Sequence, residues 1–380
     1  MYKRTLDLNK AIARKSQFLF GPRQTGKSTL IKEQLPNALL IDLLDADLQL
    51  QLTARPGRLI ELCAPAIQKK QLVVIDEIQK IPQLLDQVHQ MIEKDNLKFL
   101  LTGSSARRLR GDGVNLLGGR AGEIHLHPLT FSELGSDFIL NNVLSYGSLP
   151  AIITSDDPIA DLKDYSSLYL TQEIKNEGLV RSLPAFSRFL EVAALCNSQL
   201  INYSNIANDA QVPPNTVREY FQILRDTLIG NNLEVWRKSK KRKPTSTAKF
   251  YFFDIGVARA LQGRFSPLNT RSAEFGESLE SYVAHELFSY TDYKGLSPLT
   301  FWRTQSGIEV DFIFKDEIGI EVKATTNISN RHLEGLHALR EEKGIKQFLL
   351  LCLEKHPRTV DGIEIWPITD FLQALWSDEL

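Results

Sequence analysis

Nine residues, Gly21-Pro-Arg-Gln-Thr-Gly-Lys-Ser-Thr29, follow the spacing GxxxxGK[ST]. Gly21 and Gly26 leave the backbone free to wrap phosphates, with its amides pointing inward at the anion. Lys27 then reaches β- and γ-phosphates, Ser28 offers a hydroxyl to Mg²⁺, and Thr29 completes the motif. A second group ends the apolar run Leu72-Val-Val-Ile-Asp-Glu-Ile-Gln79. Asp76 is placed to hold Mg²⁺ through water and Glu77 to polarise an attacking water. Together they make a chance glycine loop improbable, and ATP with Mg²⁺ is the cofactor pair they imply. Small hydroxyls follow a third run, Lys98-Phe-Leu-Leu-Thr102. Thr102, Ser104 and Ser105 are candidates to touch the γ-phosphate or the water, Ser104 first by position, although Gly-Ser-Ser is also an ordinary turn. Arginines then accumulate at 107, 108, 110 and 120. Arg120 follows Gly118-Gly119, which suits close approach, and is the candidate to stabilise the transferring phosphoryl group from the same or a neighbouring subunit. The other three also fit a solvated basic face.

A second constellation lies near the C-terminus. Asp311 and Glu321 are ten residues apart on two strand-like runs, Gly307–Phe314 and Glu317–Lys323, joined by a tight turn. Lys323 is two beyond Glu321, so the two share a face. Two carboxylates and a lysine form a metal-dependent nuclease set, in which the carboxylates hold Mg²⁺ and the lysine orients water. Glu309 shares the face of Asp311, as an extra ligand or a surface residue. Glu280, on an amphipathic helix with Leu279, Val283 and Leu287 as its stripe, is the fourth polar candidate.

A third group is basic. Six of the seven residues Arg237-Lys-Ser-Lys-Lys-Arg-Lys243 carry positive charge. They lie between two strand-like runs, Leu233–Trp236 and Lys249–Phe253. Upstream, Tyr203–Ala210 and Pro214–Ile229 read as two helices broken at Pro213-Pro214, a helix-turn-helix pattern. Helix, turn, helix, strand, basic turn and strand make a winged helix. Thr216 and Arg218, at the start of its second helix, and Arg237, Lys238, Lys240, Lys241, Arg242 and Lys243 of the wing are the candidate DNA contacts. A solvated basic loop, or a winged helix that meets only protein, is the blander alternative.

These groups need scaffolds, and the chain supplies them. Its 380 residues suffice for two or three domains. Forty-five Lys and Arg against 46 Asp and Glu exclude a protamine-like or histone-like chain. An apolar fraction of 43% and a charged fraction of 24% are ordinary for globular proteins. Three distant cysteines form neither a disulfide framework nor a CxxC metal site. The N-terminus lacks the apolar core of a signal peptide, and no apolar run approaches about 18 residues. A cytoplasmic protein with no membrane contact is expected. The apolar runs before each N-terminal motif read as buried parallel strands, whose ligands sit beyond their C-terminal ends.

The residues also carry a resemblance. Gly21–Thr29, Leu72–Gln79, Leu100–Ser104, Gly118-Gly-Arg120 and His127-Pro-Leu-Thr-Phe-Ser-Glu-Leu134 resemble the ATPase domain of a prokaryotic AAA-type family. Its members carry a C-terminal domain of unknown function, DUF4143. Phe252-Phe-Asp-Ile-Gly256 and Trp302-Arg303 are similar to signatures of the same family. The resemblance implies an AAA/RecA-like P-loop sheet and ATP hydrolysis, and it makes a homo-oligomer plausible, since such ATPases often place an arginine across a subunit boundary. Asp311, Glu321 and Lys323 resemble the PD-(D/E)xK nuclease superfamily, with Val310 where its proline stands. Glu280 matches the helix glutamate of resolvase-like branches, which points to branched DNA.

The expected fold is α/β throughout. A P-loop ATPase domain occupies 1–157, a helical linker and winged helix 158–250, and a nuclease-like α/β domain 251–380. The expected function is a DNA-binding ATPase coupled to a nuclease-fold domain that binds DNA, with cleavage of it left open. The alternative is an ATP-dependent switch or assembly protein whose C-terminal domain docks DNA or protein without cutting.

Overall fold

A computed structural model describes residues 2–104, 107, 109, 117–169, 180, 182–238 and 245–380. The chain divides into two compact units, residues 1–127 with 226–229, and residues 128–225 with 230–380.

In the first unit, α1 (Leu8–Arg14), β1 (Ser16–Phe20), α2 (Lys27–Gln34), β2 (Leu39–Asp42), α3 (Ala46–Ala54), α4 (Arg58–Lys69), β3 (Val73–Asp76), α5 (Leu84–Asp95), β4 (Phe99–Gly103) and β5 (Ala121–His125) follow in order. The strands form a parallel sheet in the order β2-β3-β4-β1-β5. Both faces are covered, which explains the unbroken apolar runs. Phe18, Phe20, Val73, Ile75, Phe99 and Leu101 pack one way, with Cys63, Leu84, Val88 and Met91. Leu19, Val74 and Leu100 face the other way, onto Leu8, Ile12, Leu30 and Ile31. Because β4 lies between β1 and β3, the C-terminal ends of all three line one edge of the sheet.

The second unit opens with α6 (Phe131–Leu134), α7 (Leu140–Tyr146), α8 (Pro150–Ile153) and α9 (Pro158–Asp164). Next come α10 (Leu183–Leu195), α11 (Tyr203–Ala210), α12 (Pro214–Asp226), β6 (Gly230–Val235) and β7 (Lys249–Phe252). The rest is α13 (Ile255–Leu261), α14 (Ala273–Lys294), β8 (Thr300–Arg303), β9 (Glu309–Phe314), β10 (Ile318–Val322), α15 (Glu334–Arg340), β11 (Gln347–Cys352), β12 (Arg358–Val360), β13 (Ile363–Pro367) and α16 (Ile368–Trp376). Eight strands pair in the order β12-β13-β11-β10-β9-β8-β6-β7. The β6–β7 hairpin does not stand apart. β6 pairs in parallel with β8, at Glu234 with Thr300 and Val235 with Phe301. The sheet therefore runs through residue 250, where the sequence reading ends its middle domain. Below the hairpin, Phe186 and Phe189 of α10 pack edge-on and tilted against Tyr220 and Phe221 of α12.

Two of the sequence signatures serve packing. In Phe252-Phe-Asp-Ile-Gly256, Asp254 Oδ1 accepts the Val257 amide and caps α13, while Oδ2 accepts the Ser148 amide at 2.7 Å. In Pro128-Leu-Thr-Phe-Ser-Glu133, Thr130 and Glu133 form a capping box for α6. The Phe131 amide then donates to Glu286 of α14 at 2.8 Å. Glu286 also accepts Trp376 Nε1 at 2.6 Å and the Tyr282 hydroxyl. Burial pushes its carboxyl up to about 7, against the pull of these donors.

A pH dependence follows. The folded chain keeps a proton on Glu286 that the unfolded chain has lost, so stability falls as pH rises from about 4.5 to about 7. Across that window the thermal midpoint of Glu286→Gln should climb relative to wild type as pH rises, whatever the absolute midpoints. A constant difference between the two would mean that Glu286 is not the titrating group.

Candidate functional site

The loop after β1 is built as a phosphate cradle. Gly26 takes φ 93°, a left-handed conformation that favours glycine, and starts α2. A Cβ on Gly21 would lie 2.5 Å from the Leu126 carbonyl oxygen, so the loop fits against that segment only with glycine there. Lys27 is buried at the start of α2 and folds back over the loop, donating to the carbonyls of Gly21 at 2.6 Å and Pro22 at 3.0 Å. Arg4 braces the loop from outside, donating to the Thr25 carbonyl at 2.6 Å and the His127 carbonyl at 2.5 Å.

The structure brings the other candidates of this group to the same edge. Ser28 Oγ donates to Asp76 Oδ2 at 3.3 Å, and the Thr102 hydroxyl donates to Asp76 Oδ1. These hard oxygens suit Mg²⁺, and Ser28 and Asp76 are the residues that would hold it. Glu77 takes φ 61°, unusual for a side chain of its size, and its amide donates to Thr102 Oγ1 at 3.2 Å. Gln79 Nε2, unremarked in the sequence, donates to Glu77 Oε2 at 2.5 Å and to Ser104 Oγ at 3.4 Å. A Cβ on Gly103 would lie 2.4 Å from Gln79 Oε1, so glycine there makes room for this bridge. Burial, reinforced by Asp76 and opposed by Lys27, holds the Glu77 carboxyl above its ordinary range.

Arg120 is the exception. β5 runs parallel to β1 with Ala121 beside Ser16 and His125 beside Phe20. Arg120 therefore stands at the start of the strands, on the order of 15 Å from the phosphate loop at about 3.3 Å per residue. Its Nε pairs with Glu93 of α5. Within this chain the register sets Arg120 at the opposite end of the strands from the phosphate loop, paired with Glu93. Ser105, Arg108 and Arg110 lie outside the described residues.

The C-terminal constellation also gathers, around a residue the sequence reading passed over. β9 and β10 are antiparallel with Ile320 beside Phe312, and continuing that register sets Glu321 opposite Asp311. Asp311 Oδ2 accepts the Val322 amide at 2.8 Å. Lys323 Nζ lies 2.5 Å from Glu321 Oε1, while Glu321 Oε2 is buried with no partner. Burial and then Asp311 push the Glu321 carboxyl up to about 8, against the pull of Lys323. At the centre stands Lys249, the first residue of β7, with its side chain 5% exposed. Its ammonium lies 2.6 Å from Glu309, 3.0 Å from Glu280 and 3.9 Å from Asp311. Tyr251 adds a hydroxyl to Glu280 at 2.6 Å, and Arg303 pairs with Glu309. Burial pulls Lys249 down, but Glu280, Asp311 and Glu309 outweigh it and hold its proton firmly. Among the described residues, no three His, Cys, Asp or Glu side chains are arranged to hold a metal ion. The residues present therefore do not fit a nuclease metal, because an ammonium fills the place where the carboxylates meet.

The basic candidates are dispersed. Arg218 lies over the Tyr203 ring at 4.2 Å, and Thr216 is half-buried near the start of α12. Arg237 is exposed, whereas Lys238 pairs with Asp316 at 3.0 Å. Lys240, Lys241, Arg242 and Lys243 lie outside the described residues.

Comparisons with known proteins agree with the first unit and leave the second open. The family model of an AAA domain matches residues 13–135. Two domains of unknown function, DUF8612 and DUF4143, match residues 138–268 and 275–371. The first of these extends beyond the expected middle segment at both ends. An uncharacterized protein of Mycobacterium tuberculosis is 26% identical over 323 residues, 82% of this chain and 70% of the relative. An uncharacterized protein of Haemophilus influenzae is 25% identical over 335 residues, 83% and 80% of the two chains. A DNA clamp loader delta protein of Bacillus subtilis aligns with 12% identity and a TM-score of 0.23, over 57% of this chain and 86% of that one. No helix among the described residues is long and apolar enough to cross a membrane. The AAA match and the parallel sheet with its phosphate loop support a P-loop NTPase fold, and the AAA and DUF4143 matches together support an AAA-type ATPase that carries a DUF4143 domain.

Proposed function

We propose that this chain hydrolyses ATP with Mg²⁺ and uses the cycle to change its hold on DNA, with its nuclease-like C-terminal domain as a non-cleaving docking module. The observation that carries the ATPase part is the convergence of Lys27, Ser28, Asp76, Glu77 and Thr102 at one sheet edge. In this reading the amides of Gly21 to Gly26 cradle the phosphates and Lys27 leaves the loop carbonyls to meet them. Ser28 and Asp76 hold Mg²⁺, Thr29 follows on α2, and Ser104 senses the γ-phosphate. Arg120 belongs to a homo-oligomer, where it crosses to a neighbour's site. The docking part rests on Lys249 among the carboxylates and on the charge of Arg237–Lys243. That segment, together with Thr216 and Arg218, would form a winged-helix contact with duplex or branched DNA.

The test is ATP turnover by the full chain on linear, single-stranded and four-way-junction DNA at two salt concentrations. Turnover should rise with DNA and vanish in Lys27→Ala, and a mixture of Lys27→Ala with Arg120→Ala should recover part of it. If about four phosphates are neutralised, DNA affinity should fall about 10²-fold between 50 and 200 mM salt. Metal-dependent nicking lost in Asp311→Ala would replace docking with cleavage. No stimulation and no salt-dependent binding would leave an ATPase that works on proteins.

A further inference from the structure

We infer that the Lys249 ammonium is the resident cation of a buried carboxylate cluster, and that it keeps a divalent metal out of the nuclease-like domain. The inference gives the docking reading above its physical cause. Three carboxylates from two elements, Glu280 on α14 with Glu309 and Asp311 on β9, converge on one buried nitrogen. A buried charge is retained only where partners compensate it, and here the compensation is mutual. The separations of 2.6 and 3.0 Å are those of charge-assisted hydrogen bonds, whereas Mg²⁺ holds oxygens at about 2.0–2.1 Å.

Most of the oxygens a metal would need are already engaged. Glu280 Oε1 accepts both Lys249 and Tyr251. Glu309 accepts Lys249 and Arg303, and Asp311 Oδ2 accepts the Val322 amide. A divalent ion entering beside Lys249 would meet a fixed positive charge in a site of low dielectric, where like charges repel strongly. One carboxylate oxygen beside the cluster stays unengaged. Glu321 Oε2 is buried without a partner opposite Asp311, the position from which a second carboxylate would reach an ion.

The test removes the ammonium and keeps its bulk. Mn²⁺ binding is followed by electron paramagnetic resonance on the nucleotide-free full chain, for wild type, Lys249→Met, and Lys249→Met with Asp311→Asn. Any weak binding at Ser28 and Asp76 is common to all three. Lys249→Met should bind one Mn²⁺ at least tenfold tighter than wild type, with a thermal midpoint that rises on adding metal, and the double variant should lose both gains. A folded Lys249→Met that gains no metal would overturn the inference. So would wild type that already binds Mn²⁺ tightly and loses it in Asp311→Asn. If Lys249→Met does not fold, wild type and Asp311→Asn decide alone: equally weak binding supports the inference, and tight binding lost in Asp311→Asn overturns it. DNA association is read separately, so its failure would sink the docking reading and leave the result on Lys249 standing.

Discussion

Glu77→Gln should lower ATP turnover by about 10²- to 10⁴-fold while nucleotide affinity changes little. That range is what a positioned general base contributes, and it corresponds to about 2.7–5.5 kcal/mol of barrier. Three features make Glu77 the residue to change. Its backbone sits in the left-handed region, directly after the strand that presents Asp76. Its carboxylate is aimed by the Gln79 amide. Burial raises its pKa, which strengthens it as a base, while Lys27 limits the rise. Glutamine keeps the shape and removes the basicity, so binding and turnover should separate. Stopped-flow binding of a fluorescent ATP analogue, alongside steady-state phosphate release, measures the two. A loss below tenfold would move the role of base elsewhere, and parallel losses in affinity and turnover would make Glu77 a binding residue.

Gly256→Ala should destabilise the second unit by about 3 kcal/mol or more, the upper end for overpacking a tight contact. A Cβ there would sit 2.0 Å from the Tyr146 carbonyl oxygen and 2.6 Å from the Gly147 amide nitrogen. Both are backbone atoms, so no side chain can turn aside. α13 would have to lift from α7, breaking the bonds by which Asp254 ties Ser148 to Val257. Gly57→Ala is the control. Nothing lies within 4 Å of its Cβ position and its φ is −58°, so it should be neutral or slightly stabilising. Thermal midpoints of the two variants test this, and equal midpoints would show that the α7–α13 contact yields.

Much of the nucleotide site is legible in the sequence because each part is local. The phosphate loop, the Asp76-Glu77 pair and the hydroxyls after β4 each lie at the end of their own apolar run. The C-terminal pair is legible for a similar reason, since a ten-residue separation across a tight turn brings Asp311 and Glu321 into register. What the sequence hides is non-local. Arg120 has the residue type and glycine neighbours of a finger, but only the pairing of β5 with β1 shows which end of the sheet it occupies. Gln79 looks like the polar end of a strand until β4 brings Ser104 and Gly103 beside it. Lys249 reads as no more than the polar first residue of the returning strand Lys249–Phe253. A weak signal did exist, since Lys249 and Tyr251 alternate onto one face of an otherwise aromatic strand. Recognising it requires knowing that α14 and β9 lie against that face.

The pairing of β6 with β8 also decides where this chain can be cut. A fragment starting at residue 251 follows the apparent domain boundary, yet it would strip β6 and the first half of β7, with Lys249, from the sheet. The edge of β8 would be left with open backbone donors and acceptors, a ready template for intermolecular pairing and precipitation. It would also leave Glu280, Glu309 and Asp311 facing one another without their counter-ion. A fragment starting at Pro128 retains both strands and the lysine, and is the shorter piece suited to separate expression and crystallisation.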